Sequence, residues 1–198
     1  MLKKLLIPCF GIVALAVLSG IALAGVPCTG TSTVVITENN VGCAAGAAIC
    51  PKGDLDTVTV TITVLDCYGT ALAGKSVTIQ PAAAGFVFNV ADSARVLVSN
   101  ALGVVSQKYM KFGGCGNLRF QAVSDGVTLG PSAPIYVSNM DNVLGTPALK
   151  CDGLDLSLFG QYYGLTTFPC GDYNCSGKTD GLDLSIFGQH YGHYYGMP

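Results

Sequence analysis

Thr57-Val58-Thr59-Val60-Thr61-Ile62-Thr63-Val64 alternates without a break. Val58, Val60, Ile62 and Val64 fall on one face and four threonines on the other, the period-two pattern of a strand with one side buried and one toward water. Turn residues follow at Asp66-Cys67-Tyr68-Gly69 and at Ala73-Gly74-Lys75, and Ser76-Val77-Thr78-Ile79 then alternates again. Thr33–Thr37, Phe86–Val90, Arg95–Val98, Val104–Tyr109, Leu118–Ser124 and Ile135–Val137 have the same character. No helical period of useful length occurs before residue 150.

About seven short strands at this spacing predict an antiparallel β-sandwich of immunoglobulin-like (Ig-like) kind over 25–137. Composition agrees with a β-rich chain of one or two small domains: 198 residues, half of them hydrophobic, 26 glycines and only 11% charged. Charge is too sparse for a coiled coil and too balanced for a nucleic-acid binder. Apolar residues recur throughout with no like-charge block, which excludes a disordered chain.

The first 24 residues read as a leader. Lys3 and Lys4 precede an apolar run from Gly11 to Leu18, and Ala22-Leu23-Ala24 is a small-x-small cleavage site. Cleavage after Ala24 predicts a secreted chain with no permanent membrane anchor and a net charge of −4. Eight cysteines remain after it: Cys28, Cys43, Cys50, Cys67, Cys115, Cys151, Cys170 and Cys175. An even number in a small exported chain reads as disulfides, whereas structural zinc would call for paired CxxC spacings that are absent.

Asp66-x-x-Gly69, Gly74-x-x-Val77 and Ser99-Asn100-Ala101-Leu102-Gly103-Val104 resemble the bacterial Ig-like modules of invasin and intimin type over about 55–137. In those modules a Thr/Val strand runs into a D-x-x-G turn, and a second such turn opens a later hairpin. The resemblance implies a spacer or adhesive stalk and no catalysis. Residues 28–54 depart from it, with Cys43 and Cys50 in an Ala/Gly-rich loop.

Residues 138–198 differ in kind. Asp152-Gly153-Leu154-Asp155-Leu156-Ser157-Leu158-Phe159-Gly160-Gln161-Tyr162-Tyr163-Gly164 returns, with two changes, as Asp180 to Gly192. Such a repeat is one supersecondary unit used twice. Leu154, Leu158 and Phe159, like Leu182, Ile186 and Phe187, recur at helical spacing, so each copy predicts a short helix.

Ahead of the second copy stands Asp172-Tyr173-Asn174-Cys175-Ser176-Gly177-Lys178-Thr179-Asp180-Gly181-Leu182-Asp183. As a twelve-residue loop it carries side-chain oxygens at positions 1, 3, 5, 9 and 12 and glycine at position 6, the arrangement of an EF-hand Ca2+ loop. Asp172, Asn174, Ser176, Asp180 and Asp183 would give side-chain oxygens and Lys178 its carbonyl. Ser at position 5 and Asp at position 12 depart from that pattern, and the neutral hydroxyl, which leaves three anionic ligands, predicts weaker binding. The competing reading is an Asx-rich turn capping the helix, with Asp180 or Asp183 as N-cap.

Asp at position 12, Leu184 after it, and duplication within about 60 residues resemble the dockerin module. The chain is thus read as a mainly β Ig-like sandwich followed by a small all-α dockerin-like module. The resemblance implies two loop–helix units folded around calcium, presenting a helical surface to a cohesin, commonly in extracellular assemblies that degrade polysaccharides. The first copy lacks the loop in direct register, because Leu144, Thr146, Ala148 and Leu149 stand where ligands and glycine belong. An insertion would restore it, with Asn139 and Asp141 opening the loop and Asp152 and Asp155 closing it, as a weaker second site. Loop positions 10 and 11, which largely set partner choice in dockerins, are Gly153-Leu154 and Gly181-Leu182, small and apolar in both copies.

Cys170 or Cys151 is the expected partner of Cys175. His190 and His193, an H-x-x-H pair, would suit transition-metal binding but read rather as surface residues of the C-terminal tail, and the aromatics near them read as packing between the helices rather than a carbohydrate-stacking platform. No catalytic set emerges: Glu38, Asp54, Asp56, Asp66, Asp92 and Asp125 fall largely at turns, and no G-x-S-x-G motif occurs. The chain therefore reads as a non-enzyme, and the alternative to docking is an adhesive or self-associating surface protein with a calcium-stabilised cap.

Overall fold

The computed structural model describes residues 25–39, 46–88, 94–109, 112–141, 149–166 and 169–197. The leader read in 1–24 lies outside them, as do Cys43, Asp92, Leu144, Thr146 and Ala148. Among the described residues the chain is β-rich, with two helices at its C-terminal end. None is long and apolar enough to cross a membrane.

The Thr/Val alternation forms β3 (Val58–Thr63), central in a sheet between β1 (Thr33–Glu38) and β7 (Val104–Tyr109). Both neighbours run antiparallel to it, so Ile62 faces Val34 on one side and Val105 on the other. A second sheet has the order β11 (Val127–Leu129), β10 (Phe120–Ser124), β4 (Ser76–Pro81), β6 (Arg95–Val98). Val58, Val60 and Ile62 join Val77, Ile79, Phe120, Ala122 and Leu129 in one apolar cluster, each side chain fully shielded. Burial of one such side chain contributes about 1.5–3 kcal/mol.

Two smaller sheets complete the body. β5 (Phe86–Phe88) pairs with β8 (Phe112–Gly114). β12 (Ile135–Asn139) lies between β9 (Gly116–Leu118) and β2 (Ala47–Ile49). β12 runs parallel to β2, with Val137 opposite Ala47 and Asn139 opposite Ile49, so the body is not purely antiparallel as expected. The single strand read over Leu118–Ser124 is two strands. Leu118 pairs with Ile135 and Phe120 with Pro81, so the chain changes sheets at exposed Arg119 while both flanking side chains stay buried.

The two quoted turns share one chemistry. Asp66 Oδ1 accepts from Tyr68 N at 2.9 Å and Thr70 N at 2.8 Å, and Asn100 Oδ1 accepts from Leu102 N at 2.9 Å and Val104 N at 3.0 Å. Each turn closes through a glycine with positive φ, Gly69 at 82° and Gly103 at 73°.

Two disulfides link described residues, Cys28–Cys67 and Cys115–Cys170. The second ties the β body to a 3-10 turn at Pro169–Gly171 that precedes the last loop. Cys170 is therefore not the partner of Cys175, and neither is Cys151, which is a buried thiol like Cys50. Cys175 is itself disulfide-bonded. The expectation that all eight cysteines pair is corrected accordingly: Cys50 and Cys151 are enclosed as free thiols.

A methyl on Gly69 would meet nothing, whereas a Cβ on Gly103 would stand 2.5 Å from Val64 O. Gly69→Ala should cost about 1–2 kcal/mol from backbone conformation alone. Gly103→Ala should cost clearly more, since main chain cannot retreat from the methyl. Equilibrium denaturation of both variants checks this, and equal losses would contradict it.

Candidate metal loops and helix pair

The two repeats form α1 (Gly153–Tyr162) and α2 (Gly181–His190). Asp152 and Asp180 are their N-caps, as one reading of the sequence had it for Asp180. Each cap side chain accepts from the N–H two residues on, at 2.9 Å, and each closes a capping box. In return Asp155 accepts from Asp152 N at 2.8 Å and Asp183 from Asp180 N at 2.9 Å. A cap of this kind contributes about 1 kcal/mol.

The repeats hold each other reciprocally. Behind α1, Gly164 N donates to Thr179 O at 2.7 Å and Leu165 O accepts from Thr179 N at 3.0 Å. Behind α2, Gly192 N donates to Cys151 O at 2.8 Å and His193 O accepts from Cys151 N at 2.9 Å. The residue leading into each helix thus pairs with the turn leaving the other. Between them Phe159 and Phe187 stack at 5.9 Å, with Tyr173 at 6.0 Å from Phe159, and Met140, Cys151 and Leu55 complete this second core.

The second loop is held by its own polar side chains. Asp172 receives Ser176 N at 2.9 Å on one oxygen and Gly177 N at 2.7 Å on the other. Asn174 Oδ1 also accepts from Ser176 N at 2.9 Å, and the Ser176 hydroxyl donates to Lys178 O at 3.2 Å. Gly177 takes φ 87° at position 6. Asp183 Oδ1 accepts from Tyr173 N at 2.8 Å and Asn174 N at 3.1 Å, which pins the loop's start to the helix. Asp172 and Asp183 are buried. Burial first, and the Asp172 charge in addition, raises the Asp183 carboxyl above its ordinary range.

Counted from Asp141 to Asp155 the first loop is three residues longer than the second, yet it ends alike. Leu149, three residues before the cap as Gly177 is, takes φ 65°. Asp141 receives the backbone N–H groups of Leu149 and Lys150 and lies near Asp155 and Asp152. Gly113 makes room for it, since a Cβ there would stand 2.5 Å from Asp141 Oδ2. Asn139 is engaged locally, its amide donating to Phe112 O and accepting from Asp141 N. Burial, then the Asp155 charge, pushes Asp141 up to about 7. Among the described residues no ion pair joins Lys or Arg to Asp141, Asp172 or Asp183.

Gly153 and Gly181 open the helices, and the leucines beside them face water, Leu154 57% and Leu182 66% exposed. One turn of the structure differs from its sequence reading. His190 and His193 are not free surface residues of a tail: their ring nitrogens each lie 3.2 Å from the Asp54 carboxylate of the β body.

Between 3.8 and about 7, folded Asp141 keeps a proton that the unfolded chain releases. With divalent ions chelated, its contribution to stability is therefore lost as pH rises through that window. Thermal unfolding in chelator should show that slope in the wild type and a flatter one in Asp141→Asn, while added calcium, which needs ionised carboxylates, should oppose it. An unchanged slope in the variant would refute the assignment.

Comparison of the chain with protein-family models, with curated proteins and with solved structures finds no match.

Proposed function

We propose that the protein is an exported, non-catalytic docking protein. In this reading an Ig-like β body carries a dockerin-like module that binds calcium and engages a cohesin-type partner in an extracellular, polysaccharide-degrading assembly. The observation that carries it is the set of buried carboxylates in the two loops ahead of the helices and in the first turn of α2. Asp141, Asp172 and Asp183 are each less than a tenth exposed and face backbone N–H groups without a basic side chain. Buried charge is tolerated when paired or when it coordinates a metal. Calcium, which takes six to eight oxygens, suits a loop offering Asp172, Asn174, Ser176, Lys178 O, Asp180 and Asp183.

The docking surface follows from the repeat. Leu154 and Leu156 on α1 have their counterparts in Leu182 and Leu184 on α2, all four exposed. Tyr163 and Tyr191 add two further exposed apolar groups at equivalent places, each 52% exposed. Twin apolar faces fit a partner able to engage either helix.

Calorimetric titration of the mature chain should give at least one calcium site, and Asp172→Ala with Asp183→Ala should remove the site that loop 2 supplies. Titration without heat or saturation would end the calcium reading. In pull-downs from the native secretome, a cohesin-type protein should be retained with calcium and released by chelator. Retention of only further copies of this chain would instead favour a self-associating surface protein. Leu154→Asp and Leu182→Asp should each leave most partner binding and together abolish it; abolition by either one alone would exclude two equivalent faces.

A further inference from the structure

We propose that Cys50, Asp54, His190 and His193 form a zinc-type metal site, distinct from the calcium loops, that clamps the C-terminal helix pair to the β body. Their four ligand atoms all lie within 4.8 Å of one another, the one such grouping of His, Cys, Asp or Glu among the described residues.

The two halves of the site come from opposite ends of the mature chain. Cys50 follows β2, and a tight turn closed by Gly53 N donating to Cys50 O at 2.8 Å brings Asp54 back beside it. His190 is the last residue of α2, and His193 N donates to His190 O at 3.0 Å, so the next turn returns the second ring to the first. The bonds between Cys151 and the Gly192–His193 turn fix that return.

Distances separate a metal site from an ordinary polar cluster. His193 Nδ1 lies 3.2 Å from Asp54 Oδ2, 3.3 Å from His190 Nδ1 and 3.4 Å from Cys50 Sγ. An imidazole nitrogen has either one proton or one lone pair, so hydrogen bonding satisfies one of those neighbours and not three. His190 Nδ1 is in the same position, 3.2 Å from Asp54 Oδ1 and 3.3 Å from the other ring. A cation at the centre accepts a lone pair from every member at once. Metal–nitrogen bonds of about 2.0–2.1 Å place tetrahedral ligands about 3.3–3.4 Å apart, and a thiolate slightly farther. The four short edges, 3.2 Å twice, 3.3 Å and 3.4 Å, are close to those lengths, and the remaining pairs, both involving Cys50 Sγ, lie within 4.8 Å.

The donor set selects the ion. Two imidazoles, one thiolate and one carboxylate suit zinc, whereas calcium takes hard oxygen donors in greater number. Four protein ligands fill a tetrahedron and leave no open position for substrate, which assigns the ion a structural role. Each half offers only two ligands, so neither the Cys50–Asp54 turn nor the helix end holds zinc strongly without the other. Binding is thereby coupled to docking of the module on the body.

The test uses the full mature chain, stripped with chelator and titrated with zinc alone and, separately, with cobalt(II) alone. One equivalent of zinc should bind and survive gel filtration. The cobalt form should show the intense visible bands of tetrahedral coordination and a thiolate-to-cobalt charge-transfer band. Cys50→Ser, nearly isosteric, should abolish the charge-transfer band, and His193→Ala should weaken zinc by about 100-fold or more. Asp172→Ala with Asp183→Ala should leave zinc binding intact, which separates this site from the calcium loops. The proposal is overturned by absence of stoichiometric zinc, by weak octahedral cobalt bands, or by peptide mapping that finds Cys50 joined to Cys151 in a disulfide. Because the cobalt spectrum is read on the unaltered protein, misfolding of a variant does not rescue the idea.

Discussion

A ten-residue helix does not persist in water by itself, and both C-terminal helices have that length. What makes them stable is exchange. Thr179 and Cys151, each the residue before a cap, bond to the turn that leaves the opposite helix. Each helix therefore requires the other's entry and exit to be in place, and Phe159 on Phe187 fills the space between them. The loops inherit their shape from this arrangement, because Asp155 and Asp183 serve at once as helix residues and as anchors for the backbone ahead of them.

The β body supplies the platform. Met140, just past β12, and Leu55, near the Cys50–Asp54 turn, reach into the core of the helix pair. Ser138 Oγ donates to Cys170 O at 3.0 Å and Gly114 N to Asp141 O at 2.8 Å, so β8 and β12 grip the module through its backbone. Glycine matters at this seam for reasons of space. A side chain on Gly113 would displace the Asp141 carboxylate, and one on Gly171 would stand 2.7 Å from Thr179 Cγ2.

Much of this was readable in the residues. The Thr57–Val64 alternation, the paired D-x-x-G and N-x-x-G turns and the repeat at Asp152 and Asp180 all express local chemistry, so each appears where its pattern stood. β2 was hidden because Ala47-Ala48-Ile49 is short and buried on every side, with its parallel partner some 90 residues away. β8 was hidden for a similar reason, two of its three residues being glycine. The first loop obscured its kinship because Leu149, not glycine, takes the positive φ, and nothing in a leucine advertises that. His190 and His193 looked like tail residues because Asp54 and Cys50, which give them meaning, precede them by well over a hundred positions. The cystine partners were equally non-local: Cys115–Cys170 spans 55 residues, beyond what spacing alone discloses.

That cystine also has a mechanical meaning. A protein held through α2 alone and pulled from its body feels tension along the polypeptide, and the bridge from Cys170 to Cys115 offers a covalent short circuit. Load passes from the 3-10 turn straight into the strands near Cys115, and everything threaded between those two positions, including β12, α1 and the first carboxylate loop, is spared the strain. Drag on an anchored molecule would accordingly be borne by chemical bonds before it reached the weakest hydrogen-bonded ladder.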